Sequence, residues 1–432
     1  MLGRCRVLSF VAGCALAATG CGSEPSAPAS DDIAVGALLP FTGKEAALGR
    51  NLEQALLLAV ADVNAAGGIS GHRLRLVTRD SNSGSDRGLD QLLQLLYTDR
   101  VTYLIGPEET ELAQQVVSDI KGLNVLELLP GYAAPSIEHP GTRGAWIRLA
   151  PATEAFACAM GKQAVLWGAK SVNALVTADD YSPTLASDFT SRFGSLGGRT
   201  LPSVTAPVGA SSYAKQVDQV IDYGADLTLL MAPPESAATI TTEWTIDGRR
   251  GAWYLSPLLH ADSFLENIPF GTLNGAQGIS PSSSLASECV ADGDELECTR
   301  SNTREFTQHF ADYWQGEKPF PAANYYYDAL VLLALGLAKG ESEEGALPDV
   351  QELHQDILTF GQGDSEPVRW NNLRGPLTEV RLGSDVRYVG AATEYVFDVY
   401  GAAQHTLFDT WIIANDGFVD SGTVKAVCST RL

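Results

Sequence analysis

Basic residues are scarce in this 432-residue sequence: 29 Lys and Arg stand against 52 Asp and Glu, a formal charge of -23. A chain this acidic repels phosphate backbones, which argues against nucleic-acid binding. Long hydrophobic runs are scarce too. One segment alone, at the N-terminus, is apolar enough to enter a bilayer, so a bundle of membrane helices is excluded. Catalytic signatures are missing: there is no Gly-x-Ser-x-Gly elbow, no His-Glu-x-x-His zinc helix, no Walker phosphate loop and no Cys-x-x-Cys pair. The six His are scattered, and the one close acid pairing, His260 with Asp262, reads as a surface-loop feature. Asp292, Asp294 and Glu297 lack calcium-loop spacing and read as a solvated acidic turn. The glycines at 361 and 363 follow no strand and lack the dinucleotide fingerprint. These absences point away from an enzyme, a metal site and a cofactor.

What is present is a 45% apolar composition, ordinary for a globular protein and enough for two to three domains. Residues 1–20 read as a signal peptide. Arg4 and Arg6 supply the positive start, and Val7 to Thr19 form an apolar stretch too short for a membrane helix. The ending Ala18-Thr19-Gly20-Cys21 resembles a bacterial lipobox, with Cys21 as the residue to be lipidated; Val11-Ala12-Gly13-Cys14 is the alternative. Residues 21–32, rich in Pro and Ser, form a flexible tether. The implied location is the cell envelope, lipid-anchored, on the periplasmic or extracellular side. Four Cys then remain for an oxidising compartment. Cys289 and Cys298 bracket a short acidic loop and are the local disulfide pair; Cys158 with Cys428 follows only by elimination.

The body alternates short apolar runs with helical periodicity. Ile33 to Leu39 reads as a buried strand, followed by a helix with Leu52, Ala55, Leu56, Ala59, Val60 and Val63 on one face. Strands at Leu74–Val77, Val101–Ile105 and Val125–Leu129 alternate with helices through Leu89–Leu96 and Leu112–Ile120. The pattern restarts with strands at Val172–Val176, Leu201–Val204, Leu227–Met231 and Trp253–Leu255, and helices at Thr184–Phe193, Val217–Tyr223 and Ala237–Ile246. Residues 303–360 are helix-rich, and the stretch from Trp370 looks β-like. Repeated β-α-β units give the fold class: α/β, two doubly wound Rossmann-like lobes with a cleft between them.

Ile33-Ala34-Val35-Gly36 through Pro40-Phe41-Thr42-Gly43, then Ala61-Asp62-Val63-Asn64-Ala65-Ala66-Gly67-Gly68-Ile69, resembles the branched-chain amino-acid-binding proteins of ABC importers. The likeness continues through Val77-Thr78-Arg79-Asp80-Ser81, Leu104-Ile105-Gly106-Pro107 and Pro130 to Pro135, and returns at Tyr325-Tyr326-Tyr327-Asp328-Ala329. It is specific over 33–137, looser from 138 to 340, and weak after 360. The resemblance implies a periplasmic binding protein of type I, whose two lobes close on a small molecule about a three-crossover hinge. It places 33–150 with 273–360 in lobe 1, and 151–272 with 361–432 in lobe 2. The implied partners are the small-molecule ligand, ABC permease subunits and the membrane through the anchor.

Amino-acid sites of that family hold the carboxylate with hydroxyls and backbone N–H groups, and the ammonium with an acidic side chain. The matching positions here are Leu48, Thr110, Gly131, Tyr132, Ala133, Tyr181, Pro233 and Leu258. Thr110 keeps a hydroxyl, which also suits a helix cap, and Tyr181 keeps an aromatic. A threonine is lost at Ala133, beside a bulky Tyr132. Pro233 stands where the family has an aromatic, and Leu258 where it has the ammonium-binding Glu. Glu235 and Asp262 are the acids that could replace that charge, but no spacing selects either. An unpaired ammonium in a closed cleft is costly, so these departures argue against an ordinary α-amino acid. They imply an amino-acid-like or amide-like ligand for an importer or sensor. The alternative is an envelope lipoprotein that has kept the fold but binds a protein such as a cell-wall enzyme.

Overall fold

The computed structural model describes residues 32–43, 45–131, 146–179, 181–246, 252–282, 289–292, 295–298, 302–341, 345–361, 367–404 and 407–426. Cys14, Cys21, Tyr132, Ala133 and Cys428 lie outside these described residues, as does the tether up to residue 31. The side chains of Thr110, Asp262, Cys289 and Cys298 do too, although their backbone is described.

The first half of the chain builds β1 (Ile33–Leu39), α1 (Ala46–Ala65), β2 (Leu74–Asp80), α2 (Ser85–Leu93), β3 (Tyr103–Ile105), α3 (Thr110–Asp119), β4 (Leu126–Leu129) and β5 (Trp146–Arg148). All five strands are parallel, in the order β2-β1-β3-β4-β5. Every residue of β1 except Ala34 is buried, as expected of a strand covered on both faces. The expected stripe of α1 is buried at Leu52, Ala55, Leu56, Ala59 and Val63. Its C-terminal Asn64 has a defined structural task. The side-chain amide donates to the Leu74 carbonyl at 3.0 Å and accepts from the Leu74 N–H at 2.8 Å, clamping the start of β2 to the end of α1.

The chain continues through α4 (Thr153–Leu166), β6 (Ser171–Thr177), α5 (Ser182–Ser195), β7 (Arg199–Thr200), β8 (Val204–Ala206), α6 (Ala214–Asp222), β9 (Leu227–Met231), α7 (Pro234–Ile246), β10 (Ala252–Leu255), α8 (Asp262–Leu265), β11 (Gln277–Pro281), β12 (Cys289–Asp292) and β13 (Glu295–Cys298). The expected strand at Leu201–Val204 is instead split into β7 and β8, with Pro202, which lacks a backbone donor, in the break. The C-terminal part adds α9 (Asn302–Tyr313), α10 (Ala323–Lys339), α11 (Val350–Thr359), β14 (Pro367–Arg369), α12 (Arg374–Arg381), β15 (Arg387–Val389), β16 (Leu407–Ala414) and β17 (Gly417–Lys425). α12 interrupts the stretch expected to be β-like. Its Pro376 sits in the first turn, where a missing N–H breaks no helical bond, and Leu377 and Val380 face inward.

The second sheet runs β12-β13-β17-β16-β11-β10-β9-β6-β7, with β8 also paired to β6. Its β6 to β11 portion is parallel, and the hairpin β16–β17 adds to β11 antiparallel. α10 is apolar all round and buried from Ala323 to Ala338 except at Asn324, the signature of a central helix; it packs against α1, α11 and α12. The chain passes between the sheets after β5, after β13 and after residue 403. Backbone bonds tie the first and third passages together at Arg148, and Ser282 extends the β11–β16 pairing. Arg148 N–H donates to Gly401 O at 2.8 Å, Ala403 N–H to Arg148 O at 2.9 Å, and Ser282 N–H to Leu407 O at 3.0 Å.

Candidate functional site

In a doubly wound sheet the winding reverses where neighbouring strands send their connections to opposite sides, leaving a crevice at their carboxyl ends. In the first sheet that point lies between β1 and β3; in the second it lies between β6 and β9. The segments that end there are residues 40–43 and 106–110 in the first sheet, and 178–182 and 232–234 in the second.

The first crevice is acidic. Asp80, at the end of β2, accepts from the N–H groups of Phe41, Thr42 and Asn82 and from the Thr42 hydroxyl. Burial raises its pKa, but these bonds outweigh that and hold it below the ordinary range. Its role is structural: it laces the loop after β1 to the loop after β2. After β3, Gly106 has φ +84, and a Cβ there would sit 2.7 Å from the Leu38 carbonyl, so the turn needs glycine. The turn delivers Glu108 and Glu109. Glu108 is 8% exposed and accepts from the Tyr326 hydroxyl at 2.8 Å. Burial pushes its carboxyl up to about 8 against the pull of that hydroxyl, and Glu45 and Glu109 add to the rise. Glu109 accepts from the Ser81 hydroxyl at 2.5 Å through Oε1, while its Oε2 is buried with no hydrogen-bond partner. Burial raises its pKa as well, partly offset by Ser81, with Glu45 and Asp80 raising it further.

Among the described residues the second crevice holds one carboxylate, Asp179, which accepts from the Thr177 hydroxyl and from the N–H groups of Tyr181 and Ser182; the rest is mostly apolar. Tyr181 is buried in front of α5, and its N–H donates to Asp179 Oδ1 at 3.0 Å. Pro233 is half-buried between β9 and α7, its carbonyl accepting from Ala237 N–H at 2.9 Å. Leu258 is the middle residue of a short 3-10 turn, Pro257–Leu259, after β10, and packs on the same core cluster as Tyr181. The hydroxyls of Ser182 and Ser256 are buried without a hydrogen-bond partner. Glu235 is exposed in the first turn of α7. His260 packs against Trp411 and Phe418 with ring centroids 4.6 Å away in each case, and its Nδ1 lies 2.9 Å from the Ser280 hydroxyl.

Of the first-lobe positions singled out in the sequence, Leu48 is half-buried in the first turn of α1, packed on the main core, and Thr110 opens α3. Gly131 follows β4, and a Cβ on it would collide with the Glu108 carboxylate. Thr110 and Gly131 thus belong to the carboxyl edge of the first sheet; Tyr181, Pro233 and Leu258 belong to that of the second. Sequence reasoning passed over Glu108 and Glu109. The available signal was two consecutive acids directly after a strand, beside the Thr110 hydroxyl it did consider.

The aromatic-rich start of α10 holds this edge in place. Tyr326 reaches Glu108, Tyr327 donates to Asp62 at 2.8 Å, and Asp328 accepts from Tyr388, Tyr395, Ala391 N–H and Ala392 N–H. A concavity of about 520 Å³ lies elsewhere, between the end of α1, α9 and the start of α12, with Asp62, His309, Trp370 and Arg374 in its wall. Among the described residues no group of three His, Cys, Asp or Glu is placed to hold a metal ion, and no helix is long and apolar enough to cross a membrane.

Comparison with known proteins agrees with this architecture. The family model described as periplasmic binding protein matches residues 32–356. Leu/Ile/Val-binding protein homolog 7 of Brucella melitensis is 33% identical over 105 residues, 24% of this chain and 26% of the relative. The chain thus aligns with about a quarter of the length of the curated relatives it matches. Among solved structures, the branched-chain amino acid transporter substrate-binding protein LivJ from Streptococcus pneumoniae, in complex with isoleucine, superimposes with a TM-score of 0.69 at 17% identity, covering 90% of this chain and 100% of that one. A solute-binding protein of an ABC transporter from Rhodopseudomonas palustris, in complex with benzoate, gives 0.70 at 15% identity, covering 92% and 97%. A type 1 periplasmic binding protein from Bordetella pertussis gives 0.69 at 16%, covering 91% and 100%. At these identities the structural likeness speaks for the fold, which is that of the type I periplasmic binding proteins.

Proposed function

The chain belongs to the periplasmic binding protein family, and from that premise we propose that it is an extracytoplasmic solute-binding protein that captures a small molecule between two lobes. The observation that carries the reading is the pair of switch-point crevices, one in each sheet, on a chain that passes three times between the sheets, two of the passages laced together at Arg148. A ligand touching both carboxyl edges favours the closed form by its differential affinity for the two states. The role is binding rather than catalysis, and it serves an ABC permease or a sensor. Export by residues 1–20 and lipidation at Cys21 belong to the same proposal.

We place 32–150 with 302–403 in lobe 1, on the packing of α10 against α1 and α12, and 151–298 with 407–426 in lobe 2, on sheet membership. Both return passages then fall later than positions 273 and 361, because β11 to β13 hydrogen-bond into the second sheet and α12 packs on α10. Two disulfides complete the proposal. Cys289 stands opposite Cys298 in the β12–β13 register, and Cys158, which is disulfide-bonded, is assigned to Cys428, two residues beyond the buried Ala426.

A thermal-shift screen of the purified protein against amino acids, amides, amines and aromatic acids tests the reading. Reproducible, saturable stabilisation that weakens on Tyr181→Ala is expected. Silence across the screen, with a protein partner captured instead, would count against it.

A further inference from the structure

We propose that lobe 1 carries a second binding site, remote from the cleft, for a neutral saccharide of one or two rings. The site is the concavity of about 520 Å³ between the end of α1, α9 and the start of α12. It does not depend on the solute-binding reading, because it lies at the opposite edge of the first sheet. α1 starts beyond the carboxyl end of β1 and runs back, so its last residues stand at the amino edge. The Asn64 clamp fixes that placement: it holds Leu74, which begins β2 and pairs with Ile33, the first residue of β1. Ala65 and Ala66, next in the chain, are in the wall.

Three segments far apart in the chain build the wall, and inward contacts hold them in place. Asp62 on α1 pairs with His309 Nε2 at 2.9 Å and accepts from the Tyr327 hydroxyl at 2.8 Å, which fixes α9 and α10 against α1. Trp370, 2% exposed, seats the third segment. Its ring packs against those of Phe306, Tyr327 and His309, with centroids 5.8, 5.6 and 5.6 Å away. Above this frame the wall is polar, and Gln308, Asp312, Asn371, Asn372 and Arg374 are exposed.

The wall mixes acids with donors at close range. Gln308 donates to Asp312 at 2.7 Å and Asn371 to Glu305 at 3.3 Å, while Arg374 reaches the Ala65 carbonyl at 3.4 Å. An anion entering here meets Asp312 and Glu305. An organic cation meets Arg374 and His309, whose pKa its bond to Asp62 raises. Either charge gains on one side what it loses on the other. An apolar molecule would desolvate the exposed amides and acids without a compensating bond. A hydroxyl donates and accepts at once, and an amide beside a carboxylate offers both roles. Neighbouring hydroxyls of one sugar ring can therefore engage one such pair. The volume falls within the roughly 300–1,000 Å³ of small-molecule sites, enough for one or two rings.

Calorimetric titration of the full-length exported protein with maltose, trehalose and cellobiose, set against benzoate and putrescine, tests the assignment. Saturable one-to-one binding of at least one disaccharide is expected, at least tenfold tighter than either charged probe. Ala65→Trp, which fills the concavity from an exposed position, should weaken it at least tenfold. The double variant Gln308→Ala with Asn371→Ala removes two exposed amides and should do the same at an unchanged melting temperature. Silence from all three disaccharides would overturn the proposal. A charged probe bound more tightly than any disaccharide, and lost in Ala65→Trp, would overturn the ligand class. Disaccharide binding that survives both variants would put the sugar elsewhere on the protein and overturn the site.

Discussion

Asp328 is the residue whose loss should be felt furthest. Its carboxylate is fully buried and accepts four hydrogen bonds: from the Tyr388 and Tyr395 hydroxyls at 2.8 and 2.9 Å, and from the Ala391 and Ala392 N–H groups at 2.8 Å each. Gly390 packs so closely that a Cβ there would strike the same carboxylate. These contacts fasten the strap 388–395 to α10, and the strap leads into the passage where Gly401 and Ala403 pair with Arg148. Asp328→Ala leaves two backbone donors and two hydroxyls buried without an acceptor. Hydrogen bonds to a charged acceptor are each worth about 1.5–3 kcal/mol, but the four share one group and do not add. Removing one side of a buried charged network costs about 3–5 kcal/mol, so we expect a loss of about 4 kcal/mol. Against a total stability of about 5–15 kcal/mol this is a large fraction.

Asparagine should rescue little. Oδ1 serves Tyr388 and Ala391, and Oδ2 serves Tyr395 and Ala392, so the amide NH2 must face a backbone N–H whichever way it is turned. A tyrosine hydroxyl can rotate to accept; a backbone N–H cannot. Asp328→Asn should therefore cost about 2–3 kcal/mol, the loss of one bond plus a donor facing a donor. Urea unfolding followed by tryptophan fluorescence and far-UV circular dichroism gives both values. A loss below about 1 kcal/mol for Asp328→Ala would refute the view that this carboxylate fastens the strap.

Three further outcomes follow from buried acids and close packing. Glu127 on β4 is fully buried with neither oxygen hydrogen-bonded, and burial raises its pKa well above normal; Glu127→Leu should stabilise the fold by about 1–2 kcal/mol in the same assay. Burial raises Glu108 to about 8 and Glu127 well above its usual range, so the folded state keeps protons that the unfolded chain releases near its ordinary carboxyl range. The free energy of unfolding should accordingly fall as pH rises from about 4.5 to about 8, and Glu108→Gln should flatten that slope; a slope of opposite sign would contradict the burial of these groups. Gly131→Ala must displace the Glu108 carboxylate, with an expected cost of about 1–3 kcal/mol read as a lower melting temperature.

The elements with strong periodicity were readable from the chain alone. Ile33 to Leu39 forms β1 as a continuous apolar run, and Leu227 to Met231 forms β9 in the same way. The Asn64-Ala65-Ala66-Gly67-Gly68 signature pointed to the family, and the Asn64 clamp on Leu74 gives it a physical reason. α12 was not readable because Pro376 and a short apolar stripe resemble a turn in sequence, and only packing on α10 selects the helix. The acidic edge was missed because consecutive acids after a strand normally read as a solvated turn. The partner of Glu108, Tyr326, is 218 positions away in the chain. Long-range partners of that kind leave no local mark.

The central claim is that two lobes close on a bound small molecule. Small-angle X-ray scattering of the protein, empty and saturated with the tightest ligand found by thermal shift, tests it most directly. Closure about the laced passages at Arg148, Gly401 and Ala403 should lower the radius of gyration on saturation. Saturable binding with an unchanged or larger radius would contradict it.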